Sequence, residues 1–197
     1  GAEVAKHTLN ERLGVKGGIS ILGTTGVVKP VSMDAFTATI DVSLNIAKKK
    51  GLHEVVLCFG RTSEAAAKTV LSYPDEAYVM MGDFFKYAMD KAKKMDFKTI
   101  VSGQLGKILK ICLDSENTNV KYGVFSPEQS SAFLEKIGIQ KKHINMLSKA
   151  KTARHMWEIA EKENLEYIWG NICSYLSKKY LIQVMLFSYK GTLLAKA

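Results

Sequence analysis

The sequence predicts an α/β fold of three layers: a mainly parallel sheet of about four to five strands, helices on both faces, and a C-terminal β-hairpin. Three observations carry this expectation. A short apolar, β-branched run ending in glycine, followed by an amphipathic helical stretch, recurs through the first half of the chain. Those runs are continuously apolar rather than alternating, as in strands buried on both faces. The chain then closes with two further β-rich runs separated by Tyr189-Lys190-Gly191, the makings of a tight turn.

The elements follow in order. "ISILG" (Ile19 to Gly23) leads, past Pro30, into "SMDAFTATIDVSLNIAKKKG", with Ser32 as the expected N-cap and Gly51 as the residue just beyond the helix. "EVVLCFG" (Glu54 to Gly60) leads into "RTSEAAAKTVLS", and "AYVMMG" (Ala77 to Gly82) into "DFFKYAMDKAKKMD". "KTIVSG" (Lys98 to Gly103) leads into "QLGKILKICLD". After Gly123 the rhythm changes to helices. "SPEQSSAFLEKIG" offers Ser126 as N-cap, Pro127 at the first helical position and Gly138 at the end. "AKTARHMWEIAEKEN" and "LEYIWGNICSYLSKK" predict two more, before the terminal "IQVMLFSYKGTLLA" hairpin.

Composition narrows the class. At 197 residues, 47% hydrophobic and 24% charged, the chain has the profile of a soluble globular protein with a real core. No apolar run reaches the ~20 residues that span a bilayer, and no secretory signal opens the chain. It begins Gly1-Ala2, which predicts a start inside a longer chain or after a tag scar. Cys58, Cys112 and Cys173 are isolated in apolar contexts and predict buried free thiols in a reducing cytoplasm. The four histidines are scattered, none paired at the i, i+4 spacing of a zinc helix, so no metal site is expected. The net charge of +9 suits an anionic partner, or simply a lysine-rich solvated surface. Aromatic residues are not interleaved with the lysines, which argues against a nucleic-acid platform. The oligomeric state is open.

The chemistry is expected where the strands end. In open α/β sheets, ligands bind outside the carboxyl ends of the strands, where glycine lets the backbone approach and free helical N–H groups favour anions. The loops at Gly23, Gly60, Gly82 and Gly103 should line one such edge, although each glycine could equally serve only a tight turn. Two nucleotide motifs fail on spacing. "GQLGK", Gly103 to Lys107, has two residues between its glycines where a P-loop has four, and Ile108 stands where the hydroxyl should be. No GxGxxG follows a strand. Neither paired carboxylates nor a Ser-His-Asp or Cys-His arrangement can be read. That absence suits chemistry that depends on orientation, such as methyl transfer from a sulfonium donor.

"TLNERLGVKGGISILGTTGVVKPVS", Thr8 to Ser32, closely resembles the signature of the CbiD family, the cobalt-precorrin-5B C(1)-methyltransferases of anaerobic cobalamin synthesis. The resemblance weakens to about residue 120, through "VVLCFG", "MGDFFKYAMDKAKKMDFKTIVSGQLGKILKI" and "ENTN", and is architectural thereafter. It implies an S-adenosylmethionine-dependent methyl transfer to C1 of a cobalt-bearing tetrapyrrole. It also implies a two-domain protein. The TGxTTGTCAAAA-like motif of the first domain is absent, so residues 1–31 would be an inter-domain segment or strand and residues 32–197 the C-terminal α/β domain. By this likeness, donor or macrocycle would meet Gly23, Thr24, Thr25, Gly26, Gly60, Arg61, Gly82, Asp83, Gly103, Gln104, Gly106, Lys107, Asn117, Thr118 and Asn119.

The departures matter too. Gln104 and Asn119 stand where the family pattern has histidines, Arg61 where it has asparagine, and Gly82-Asp83-Phe84-Phe85-Lys86 where it has GNFIG. Two expectations therefore stand side by side: a methyltransferase whose isolated C-terminal part is inactive, and a non-catalytic corrinoid- or anion-binding module that kept the fold.

Overall fold

A computed structural model of the chain describes Glu3, residues 33–115, Thr118 and residues 126–197. The strand expected at Ile19–Gly23, the Gly23–Gly26 loop, the Ser32 cap, Asn117 and Asn119 lie outside these described residues. So does the 1–31 segment apart from Glu3.

Helix α1 runs Met33–Lys49 and buries Ile40, Leu44 and Ala47, the i, i+4, i+7 stripe of an amphipathic helix. Gly51 ends it in the left-handed region (φ 73°). There the Gly51 N–H bonds the Lys48 carbonyl (2.9 Å) and the Leu52 N–H that of Ala47 (3.1 Å), the paired bonds of a Schellman cap. Then come β1 (Glu54–Cys58), α2 (Arg61–Lys68), a 3₁₀ turn at Asp75–Ala77 and β2 (Tyr78–Met80). α3 (Phe85–Lys94), β3 (Lys98–Gln104) and α4 (Leu105–Cys112) follow. The chain continues through α5 (Pro127–Lys136), α6 (Lys141–Leu147), α7 (Ala153–Lys162) and α8 (Tyr167–Tyr180). It ends in β4 (Gln183–Phe187) and β5 (Leu193–Lys196). Ser126 caps α5 as expected, its hydroxyl accepting the Gln129 N–H at 3.2 Å ahead of Pro127, and Gly138 (φ 81°) ends that helix. The seven-residue α6 was not anticipated.

The sheet order is β2-β1-β3-β4-β5. The first four strands are parallel, and β5 returns antiparallel to β4 through the Ser188–Thr192 turn. This is the predicted three-layer α/β fold with its C-terminal hairpin. The two outer layers are unequal. Val55, Leu57, Val79, Val101, Val184 and Leu186 point into one core with α1, α3, α4 and the helices of the second half. The other sheet face, built on Val56, Cys58, Tyr78, Ile100, Met185 and Phe187, is covered by Ala66 and Ala67 of α2 and by Leu71 and Tyr73 beyond it. Small alanines let α2 sit close. The buried Ser102 hydroxyl on β3 fixes it there by donating to the Ser63 carbonyl at 2.8 Å.

Candidate functional site at the carboxyl edge

The strand order decides where the connections at the carboxyl edge diverge. From β1 the chain crosses to β2 on one side, and from β2 it crosses back past β1 to β3 on the other. The loop after β1 leads to α2 on one face, whereas β3 leads directly into α4 on the opposite face. The two connections therefore diverge between the carboxyl ends of β1 and β3, the topological switch point at which open α/β sheets take ligands. Gly60 and Arg61 stand on one side of that point, Gly103 and Gln104 on the other, all four anticipated from sequence.

The glycines differ in what surrounds them. A side chain at Gly82, whose φ is 54°, would place its Cβ 2.6 Å from Phe36 Cζ, and that ring stacks on Phe84 with centroids 5.3 Å apart. At Gly103 a Cβ would lie 2.7 Å from the ring of Phe59. At Gly106 it would meet Ala153 Cβ and the Tyr189 hydroxyl, each at 3.5 Å. The protein's own side chains occupy the space beside these three. Gly60 is different: its backbone is extended and a Cβ there meets nothing within 4 Å. It is the N-cap of α2, its N–H donating to Ser63 Oγ at 3.1 Å and Ser63 Oγ donating back to its carbonyl at 2.9 Å.

A polar cluster gathers three more of the anticipated residues. Asp83, in the loop after β2, accepts from the Lys107 ammonium and, at 2.7 Å, from the Thr118 hydroxyl. The Thr118 N–H closes on the Asp83 carbonyl at 3.2 Å. The Thr118 carbonyl accepts from Lys107 (3.2 Å) and from Lys110 (3.0 Å), so two ammonium groups converge on one oxygen. Burial lowers the Lys110 pKa from its ordinary value, the Lys107 charge lowers it further, and Asp83 partly restores it. Lys110 escaped the sequence reading, although its i, i+3 relation to Lys107 puts both on one helix face.

Tyr189, in the hairpin turn, was also missed. It reaches over Gly106, with the Arg154 guanidinium 5.6 Å from its ring centre and Trp157 tilted against it at 5.9 Å. Burial raises its phenol pKa, while the Gly106 N–H and Arg154 pull it partly back. The three cysteines are buried, as expected. Burial pushes the Cys173 thiol up to about 12 and Cys112 well above its ordinary range, so both stay protonated at neutral pH. Among the described residues, no group of three or more His, Cys, Asp or Glu could hold a metal ion, and no helix is long and apolar enough to cross a membrane.

Fold and edge together define a doubly covered α/β sheet protein with a topological switch point between β1 and β3, a cationic cluster on one flank and an aromatic one on the other. The family model of CbiD matches residues 1–30. The chain is 40% identical over 181 residues to the cobalt-precorrin-5B C(1)-methyltransferase of Desulfotalea psychrophila, across 91% of its own length and 50% of that relative's. The proteins of the same name from Geobacter sp. strain M21 (40% over 200 residues, 98% of this chain, 56% of the relative) and Thermus thermophilus (36% over 181 residues, 91% and 50%) agree. No solved structure matches at a significant level. The chain is thus similar to CbiD proteins, and it spans about half the length of the curated relatives it matches.

Proposed function

We propose that this chain forms the α/β part of a methyltransferase that moves a methyl group from S-adenosylmethionine to C1 of cobalt-precorrin-5B, with the crevice between β1 and β3 as its binding edge. The observation that carries the reading is the switch point itself. The loops after β1 and β3 diverge there, and Gly60 alone among the edge glycines described leaves its Cβ direction open. A backbone with nothing against it at a switch point suits close approach of a ligand. The relatives' shared name supplies the reaction and the substrate. The cobalt-bearing macrocycle carries many carboxylates, which fits a chain of net charge +9.

The donor supplies an electrophilic methyl group, so the protein's tasks are alignment of the two reactants in line and exclusion of water. Gly60 and Arg61 would sit against one reactant, and Asp83, Lys107 and Thr118 would fix the polar flank. Gly23, Thr24, Thr25 and Gly26 would offer hydroxyl and backbone donors to a carboxylate. The second reading, a corrinoid-binding module without turnover, is favoured by Gln104 and Asn119, which replace histidines of the family pattern.

The deciding experiment incubates the protein at the length of its curated relatives, of which this chain spans about half, with methyl-labelled S-adenosylmethionine and cobalt-precorrin-5B, alongside calorimetry with the corrinoid. Label in the macrocycle supports the enzyme. Corrinoid binding with no label supports the module, and no binding of either ligand refutes both. Residues 1–197 alone are expected to transfer no methyl group; turnover by this stretch would overturn that expectation.

A further inference from the structure

We infer that Lys107 and Lys110 form a two-ammonium subsite for one carboxylate side arm of the substrate, an inference that rests on the macrocycle reading above. The geometry begins with the Thr118 carbonyl, which both side chains reach at hydrogen-bond distance. An ammonium has three N–H donors. Lys107 spends two, on Asp83 and on that carbonyl, and Lys110 spends one. Among the described residues, the remaining N–H groups meet no acceptor.

The charges are as unequal as the donors. One carboxylate, Asp83, hydrogen-bonds Lys107, and it also serves the Thr118 hydroxyl. Lys110 donates to no carboxylate among the described residues, yet it is half-buried and faces a like charge. Bringing two cations together in a partly desolvated place costs free energy that an added anion returns. A carboxylate is suited to this, because its two oxygens accept from both ammonium groups at once. The Lys107 side chain retains 35% exposure, so the pair is reachable from solvent.

The subsite is local. Lys107 stands on the first turn of α4, three residues after Gln104, so it lies on the flank of the switch point rather than on a remote surface. A rigid polycarboxylate seated in the crevice would place one arm there while its ring lies over the ends of β1 and β3.

Two measurements on the full chain test this. In the first, lysines are reductively ¹³C-methylated, which keeps their charge, and the Lys110 resonance is identified by its loss in Lys110→Arg. Acetate is then added at constant pH and ionic strength. A saturable shift of the Lys110 signal, absent from the exposed Lys50, is expected; shifts that never saturate, or that all lysines share, overturn the subsite. In the second, cobalt uroporphyrin III, which has eight carboxylates, is titrated into parent, Lys110→Gln and Lys110→Arg. The glutamine variant should bind at least about fivefold more weakly, in line with loss of a charge-assisted contact, and the arginine variant within about twofold of parent. Equal affinity for the glutamine variant overturns the assignment to substrate while leaving the proposed function standing. Saturable acetate binding in a parent that takes no macrocycle keeps the anion subsite and refutes both the macrocycle reading and the substrate assignment. Thermal melting of each variant, expected to match parent, separates contact from fold.

Discussion

Gly82 gives the sharpest test of how this edge is built. Alanine there must adopt a left-handed backbone (φ 54°), which costs about 1–2 kcal/mol for a residue with a Cβ. Its methyl group would also press into Phe36, 2.6 Å from Cζ and 2.9 Å from Cε1. The ring cannot move freely, because it stacks on Phe84, and losing that pairing costs a further ~1 kcal/mol. Against this, alanine narrows the unfolded ensemble, which returns about 0.4–1 kcal/mol. The net is about 2 kcal/mol, or a fall in Tm of roughly 4–8 °C for a domain of this size. Differential scanning calorimetry of Gly82→Ala measures it. Combining the change with Phe36→Leu should recover the crowding part, as a coupling of about 1 kcal/mol in the double-mutant cycle. A Gly82→Ala protein within 0.5 kcal/mol of parent on the scale of ordinary surface changes, or a cycle with no coupling, would refute the reasoning. Gly60→Ala supplies the contrast. Its Cβ enters open space from an extended backbone, so stability should stay within about 1 kcal/mol of parent. If the crevice is used as proposed, its affinity for S-adenosylhomocysteine, measured by calorimetry, should fall; unchanged affinity would remove Gly60 from the site.

Other perturbations have equally definite outcomes. Above pH 9 the unfolded chain releases thiol protons that folded Cys112 and Cys173 keep, so stability present below that pH is lost as pH rises toward about 12. By pH 10 the loss is about 1 kcal/mol per thiol, and the double Cys112→Ala, Cys173→Ala variant should show a flatter alkaline limb in urea unfolding; an unchanged slope would contradict the burial argument. Asp83→Asn removes the charge that Lys107 and the Thr118 hydroxyl share, at a partly exposed site, and should lower the urea midpoint by the equivalent of about 1–2 kcal/mol with m unchanged. Ser126→Ala removes the cap of α5 and should cost about 1 kcal/mol, while Ser126→Asp should not; equal losses would deny the cap its role.

Much of the fold was legible because its signals are local. The Gly51 and Gly138 helix stops, the Ser126 cap and the strands β1, β2 and β3 all depend on residues within a few positions of one another. The helix at Lys141–Leu147 was not, because it has neither a side-chain N-cap nor an acidic first turn, and seven residues hold only two buried positions. The site divides in the same way. Gly60, Arg61, Gly103 and Gln104 could be placed at the edge because strand ends are readable. Lys110 and Tyr189 could not, since their importance arises from Thr118 and Gly106, which the fold brings to them from elsewhere in the chain. Sequence also gave each glycine the same meaning. The structure separates them, as Phe36, Phe59 and Tyr189 sit against three and nothing sits against the fourth.

That separation bears on how one edge would handle two unlike reactants. If the three described loops were equally open, a ligand would meet a broad, wet groove with little to orient it. Instead Phe36 closes the β2 loop, and Phe59, from the residue beside Gly60, closes over Gly103, leaving the approach at the α2 N-terminus. To one side of β3 stand Asp83, Lys107, Lys110 and Thr118; to the other, Tyr189 with Arg154 and Trp157. A flat polyanion needs a cationic flank for its rim and an apolar surface for its ring, and only a site with both fixes its rotation about the ring normal. On the proposed reading, that rotational control is what selects C1 over the other ring carbons. Loss of the Lys110 contact should therefore reduce regiochemical fidelity as well as affinity, read as label at positions other than C1 in Lys110→Gln but not in Lys110→Arg. A slower variant with unchanged regiochemistry would mean that orientation comes from elsewhere.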